Sequence, residues 1–420
     1  MHLVTWTRRV LSAALLLPPL SFAGGELDLK RVERLALEED VTAPRYEALA
    51  AARREQAVAE ESLPDPRLKL GALNFPTDSF SRSQEGMTQL AVGVQQAIPP
   101  GKTLKLRGQR VQLLAEVEEE RAQALRLAVL RDARERFLDV YYQVEAGHIV
   151  DESRVLFRQL LDITRAHYAA GRKNQQDVLR ASVELGLLDD RRTRIRTAEE
   201  RARAALAKLI GPAPAYRPVV REFPLLPVLP GMADLEAAIG SHPALSAAIS
   251  LVEAGQIAVD IERQRYKPGL MLDLTYANRA GYNPDGSDRS DFLSAMVTLD
   301  LPLFTGNRQD RFVAGRQKEV EAARLNRDDV YLRLMRQLKA DYAEWLRLDE
   351  RVRLYRKTIV PEAEQNAEAS LAAYQAGVTD FTGLMRARLT ELDAHLTALR
   401  LRVDQAKAQA RLIYLAGEDS

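Results

Sequence analysis

There is no cysteine among the 420 residues. Disulfides, thiolate catalysis and cysteine-ligated zinc are therefore excluded, and so is an acyl anchor carried on a cysteine. Net charge is lacking too. The 60 Lys and Arg residues against 59 Asp and Glu leave a formal charge of +1, which gives no field to gather nucleic acid or anionic lipid. Histidine is scarce: His2, His148, His167, His242 and His395 lie far apart, with no His-x-x-x-His pair. No metal site within one chain and no cofactor are expected. There is no Gly-Lys-Ser/Thr loop and no Gly-x-Ser-x-Gly elbow, so the chain is not expected to be an enzyme. The basic stretch 191–204 is interleaved with acids and has no aromatic platform, which argues against nucleic acid as a partner. Beyond the N-terminus no run of 18 apolar residues is expected, so a membrane would have to be met with strands.

What is present begins with a leader. Arg8 and Arg9 precede the apolar stretch 10–22, and Ser21-Phe22-Ala23 ends in small residues. Residues 1–23 read as a secretion signal cleaved after Ala23.

The chain then repeats itself. Tyr168-Ala169-Ala170-Gly171 recurs as Tyr374-Gln375-Ala376-Gly377, Arg180-Ala181 as Arg386-Ala387, and Leu209-Ile210-Gly211 as Leu415-Ala416-Gly417, all at an offset of 206. Pro44, Pro66 and Gly101 match Pro243, Pro268 and Gly306 at offsets that rise from 199 to 205. A duplicated unit over 24–211 and 232–417 accounts for this order. Between them, 212–231 carries six prolines and reads as an extended connector.

Each repeat has the same order: a helix (27–62 or 233–265), two strands, then two long helices. Strands are expected at about 67–75, 88–98, 269–278 and 292–302, because apolar and polar residues alternate there. Leu90, Val92 and Val94 oppose Gln89, Gly93 and Gln95, and Leu270, Leu272 and Leu274 oppose Met271, Asp273 and Thr275. Each strand has the length of a tilted transmembrane strand. Alternation alone fits a half-buried soluble sheet equally well.

The helices are unusual. From Lys102 to Tyr168 there is no proline, and from Asn307 to Tyr374 there is only Pro361. Such a helix is roughly 100 Å long. Leu127, Leu130, Phe137, Tyr141 and Val144, and likewise Leu334, Leu338, Trp345 and Val352, fall in coiled-coil rhythm. Each helix turns back at its Tyr-x-x-Gly (Tyr168 and Gly171, Tyr374 and Gly377) and returns over 174–210 or 380–416. Four strands cannot close a membrane barrel, so copies must associate if the strands enter lipid.

With these motifs, the chain resembles the outer membrane factor family typified by TolC. The duplication carries the resemblance, together with Leu63-Pro64-Asp65-Pro66 at strand entry, Pro99-Pro100-Gly101-Lys102, Leu301-Pro302-Leu303-Phe304-Thr305-Gly306, and the two Tyr-x-x-Gly turns. The Asp-Pro entry and the Pro-Pro-Gly-Lys turn are most similar to the CzcC-like heavy-metal efflux branch. The resemblance implies a mixed, mostly α fold: coiled-coil hairpins plus four transmembrane β-strands per protomer, completed as a homotrimer with a twelve-stranded β-barrel and an α-helical tunnel. It implies residence in the outer membrane and its lipid, extending into the periplasm. Its partners would be a periplasmic adaptor (membrane fusion) protein and a proton-driven inner-membrane efflux pump. Pro99, Pro100, Gly101, Pro302 and Gly306 would form the strand-to-helix turns. By the same resemblance a periplasmic gate would follow the helix reversals, where Asp177 fits the family pattern. Gly383 replaces a second aspartate, Asp380 lies one turn earlier, and Arg180 and Arg386 stand where further acids would fall. The expectation is an acidic constriction of Asp177 and Asp380 bridged by Arg180 or Arg386. The function implied is an exit duct of a tripartite efflux system, possible metal cations among its cargo. The competing class is a soluble periplasmic coiled-coil adaptor or scaffold.

Overall fold

The computed structural model describes residues 25–171 and 174–417; the expected signal, 1–23, lies outside them. Two short helices, α1 (Leu29–Glu38) and α2 (Thr42–Glu61), lead into strands β1 (Arg67–Leu73) and β2 (Gln89–Ile98). A 67-residue helix, α3 (Thr103–Ala169), follows and returns as α4 (Gln175–Ile210). After α5 (Pro212–Ala215) and a largely extended segment come α6 (Met232–Ile239) and α7 (Pro243–Gln264). Strands β3 (Gly269–Arg279) and β4 (Phe292–Asp300) lead into α8 (Gln309–Leu354), a π-turn at Tyr355–Ile359, α9 (Val360–Gln375) and α10 (Phe381–Ala416).

The single helix expected over 27–62 is broken at 39–41, and that over 233–265 at 240–242. The causes are local and differ. Asp40 accepts the backbone N–H groups of Thr42 and Ala43 (2.8 and 3.0 Å), which starts a new helix. In the other case His242 Nδ1 accepts the Ala244 N–H at 3.2 Å, and Pro243 occupies the first helical turn. The connector expected to be wholly extended opens with the four residues of α5, where Pro212 needs no hydrogen-bonded N–H. It then runs beside the N-terminus through a parallel bridge between Leu27 and Val219.

One segment tests the expectation that no apolar run would recur. Residues 232–264 are long and apolar enough, by composition, to cross a membrane. The break at 240–242 divides them into α6 and α7, and α7 packs between α3 and α8. Length and apolarity here serve helix packing.

The coiled-coil positions face inward. Leu127, Leu130, Phe137 and Tyr141 are buried, as is Leu338. Phe137, Leu138 and Tyr141 join Leu27, Val32, Leu206, Ile210 and Val403 in a core at mid-length. A second core, nearer the helix reversals, takes Phe157, Leu160 and Leu161 of α3 together with Phe381, Leu384 and Met385 of α10. Arg411 of α10 bonds Asp341 (2.9 Å) and Glu344 (2.7 Å) on α8 and Glu135 (3.3 Å) on α3, so one guanidinium ties three long helices.

Candidate functional site: a two-faced sheet and the hairpin tips

The four strands form one antiparallel sheet in the order β1-β2-β3-β4. Because successive side chains alternate, the register sorts them into two faces. One face carries the rows Leu68–Val94–Leu274–Ala295 and Leu70–Val92–Tyr276–Leu293. These side chains are exposed, Leu70 at 76% and Leu293 at 73%. The other face carries Arg67–Gln95–Asp273–Met296 and Lys69–Gly93–Thr275–Ser294. There Lys69 of β1 reaches across β2 to the buried Asp273 carboxylate of β3 at 2.5 Å. Gly93 opens that path, since a Cβ there would meet the Thr275 side chain. Thr275 Oγ1 also donates to Asp273 at 2.7 Å. This polar bridge was not foreseen, although opposite charges on the polar faces of two strands are the signal that could have found it. The outer edges of β1 and β4 have no partner among the described residues.

Below the sheet lie the strand-to-helix turns. The Pro100 carbonyl accepts from the Thr103 hydroxyl (2.6 Å) and N–H (3.2 Å), and the Lys102 N–H donates to Gln264 at the end of α7 (3.1 Å). Pro99, Pro100 and Gly101 thus fasten the foot of β2 to the foot of α7. On the other side, Pro302 and Gly306 lie in the stretch between β4 and α8, where the Thr305 carbonyl accepts the N–H groups of Arg308 and Asp310 at 3.1 Å. The matched glycines differ: Gly101 has φ +56° and Gly306 has no positive φ.

At the opposite end are the two helix reversals. Gly171 (φ +69°) and Gly377 (φ +78°) both take the left-handed conformation that a side chain resists. Their tyrosines part company. Tyr374 is 3% exposed and Tyr168 is 47% exposed. Tyr374 packs edge-on against Phe381 at 5.7 Å and beside His167, and its hydroxyl lies near that of Thr164 on α3. Burial raises its pKa above the usual phenol value; the Thr164 hydroxyl opposes this and the nearby Asp177 carboxylate adds to it.

The four expected gate residues fall near these reversals but do not pair with one another within one chain. Asp177 is in the first turn of α4. Asp380 is the N-cap of α10, its Oδ1 accepting the Gly383 N–H at 2.8 Å. Arg180 donates to the Thr382 hydroxyl across the two hairpins. Arg386 is exposed on α10, without an ion pair among the described residues. The Arg180–Thr382 link was not anticipated.

Comparison with known proteins accords with this architecture. Residues 235–418 match the family model of outer membrane efflux proteins. Over nearly its whole length the chain superposes on CusC, a solved transmembrane channel, with a TM-score of 0.76, covering 94% of this chain and 93% of that one at 13% identity. The family match covers the C-terminal part of the chain, and the likeness to CusC extends the same fold over nearly all of it. In sequence it is 24% identical over 295 residues to the cobalt-zinc-cadmium resistance protein CzcC of Cupriavidus metallidurans, spanning 68% of each chain. It is 29% identical over 205 residues to the protein CyaE of Bordetella pertussis, spanning 46% of this chain and 43% of CyaE.

Proposed function

We propose that this chain is one subunit of an outer-membrane exit duct that three copies close together, serving an efflux system whose cargo includes metal cations. The sheet carries the proposal. Its exposed apolar face suits lipid, its opposite face is more polar, and neither outer edge has a partner among the described residues. An open edge in hydrocarbon leaves backbone groups without partners, and four strands are too few to close. Three copies supply twelve strands and remove every edge. The 67-residue α3 continues from the foot of the sheet for roughly 100 Å, the reach of a tunnel into the periplasm.

Residues 24–211 and 232–417 are then two repeats of one unit joined by 212–231, so that three chains give six near-equivalent hairpins. A periplasmic adaptor and a proton-driven pump would dock at the hairpin end. Metal cargo is inferred from similarity to CzcC; the pump selects it. Asp177, Arg180, Asp380 and Arg386 narrow the entrance, where charges left without ion pairs inside one chain meet their counterparts from other copies.

One experiment tests duct and entrance together. Protein extracted from outer membranes in mild detergent should scatter as three chains and, in planar bilayers, conduct weakly. Asp177→Ala and Arg386→Ala should raise the conductance. A monomer that needs no detergent would overturn the duct and favour a soluble adaptor. A trimer whose conductance is unmoved by both variants would retain the duct and remove these residues from the entrance.

A further inference from the structure

The two hairpins keep the same inner faces and differ on their outer ones. Ala181 and Leu188 of α4 are buried, and so are Ala387 and Ala394, their counterparts 206 residues on. Outside, the match fails. Met385 of α10 is buried and Leu389 is half-buried against the α3–α4 hairpin. Their counterparts on α4, Leu179 and Val183, are 58% and 61% exposed. They lie one helical turn apart on one face, and Leu187 extends the stripe by another turn. Tyr168 repeats the contrast with Tyr374.

Helix order explains the difference. α3 packs against α4 on one flank and α10 on the other, whereas α9 packs against α10. Among the described residues, the seam that α10 makes on α3 has no counterpart within the chain for α4. A repeated unit that buries a surface on its neighbour leaves that surface bare at the end of the row, until another copy arrives.

We infer that the bare stripe formed by Leu179 and Val183 of α4, with Tyr168 from the last turn of α3, seats on α9 of a second copy, repeating between chains the seam that Tyr374, Met385 and Leu389 make within one. This rests on the trimeric reading and adds the contact surface to it. The receiving residue is specified by the repeat. The Tyr374 hydroxyl lies near Thr164, and the residue 206 positions after Thr164 is Ser370, also a hydroxyl and partly exposed on α9. His167, beside the Tyr374 ring, is matched by Ala373. Where α3 offers Leu160, α9 offers the exposed Asn366. The second seam therefore joins larger residues on α4 to smaller ones on α9, and is the thinner of the two.

The absence of cysteine makes the test clean. In the full-length, membrane-extracted protein, Tyr168→Cys with Ser370→Cys should be joined by a short bismaleimide into two- and three-chain species on a denaturing gel. Thr164→Cys with Tyr374→Cys, treated alike, should link within a chain and add no mass. As a second measurement, Leu179→Asp should leave the monomer's helical signal intact and dissociate the three-chain particle at lower detergent or salt stress. A three-chain particle whose 164–374 control links while 168–370 does not would place the seam elsewhere and leave the duct standing. Loss of the three-chain mass in the unaltered protein would remove both.

Discussion

The two hairpin tips share a local grammar and differ in everything around it. Each has a tyrosine, two intervening residues and a glycine at positive φ, followed by a helix start. At the second tip the tyrosine is buried and an aspartate caps the returning helix. At the first the tyrosine is exposed, and Asn174 stands at the cap without a side-chain bond. A turn motif sets where the chain reverses, and the neighbouring helix decides what the turn's side chains are worth.

That contrast can be broken most sharply at the tyrosines. Tyr374→Ala should cost about 3–5 kcal/mol, as removal of a buried aromatic does. In a detergent-dispersed single chain Tyr168→Ala should cost no more than about 0.5 kcal/mol. Denaturant unfolding, with hydrogen exchange at the tips, measures both, and equal losses would erase the distinction. The caps give a smaller difference. Asp380→Ala should lose about 1 kcal/mol, and Asn174→Ala only a few tenths, read as earlier fraying of α10 but not of α4.

The finest contrast is one of pH, at the two helix breaks. His242 is fully buried, and burial holds its pKa below the ordinary imidazole value, against a partial opposing bond to the Tyr414 carbonyl. Folding therefore favours the neutral ring. The stability it lends is complete above about pH 6.5 and drains as pH falls below that value. At Asp40, burial is outweighed by hydrogen bonds from Thr42 and Ala43, so the carboxyl lies below its ordinary value. Its contribution persists until pH falls below about 4. A pH series of thermal melts should show a loss beginning below about 6.5 that His242→Asn removes while keeping the cap.

The fold class was legible in the sequence because its signals are long. Alternation over nine or ten residues placed the strands, and stretches poor in proline and glycine placed the helices. The breaks at 39–41 and 240–242 were missed because each hangs on one capping side chain, Asp40 or His242, inside an otherwise helical pattern. The polar bridge from Lys69 to Asp273 needed the register of three strands, which no single segment encodes. The unequal fates of Tyr168 and Tyr374 lay beyond the sequence, since identical motifs differ only in what packs beside them.

The π-turn at 355–359 takes up one residue. From Gly101 to Tyr168 the chain advances 67 residues, and from Gly306 to Tyr374 it advances 68. An i→i+5 turn holds one residue more than an α-turn over a similar axial path. The surplus residue is thus looped out where Pro361 has no N–H to give and its ring would crowd the carbonyl four residues back. Beyond that turn the chain resumes as the α-helix α9. One extra residue in an unbroken α-helix turns everything beyond it by about 100°; the π-turn takes up such a residue within five positions.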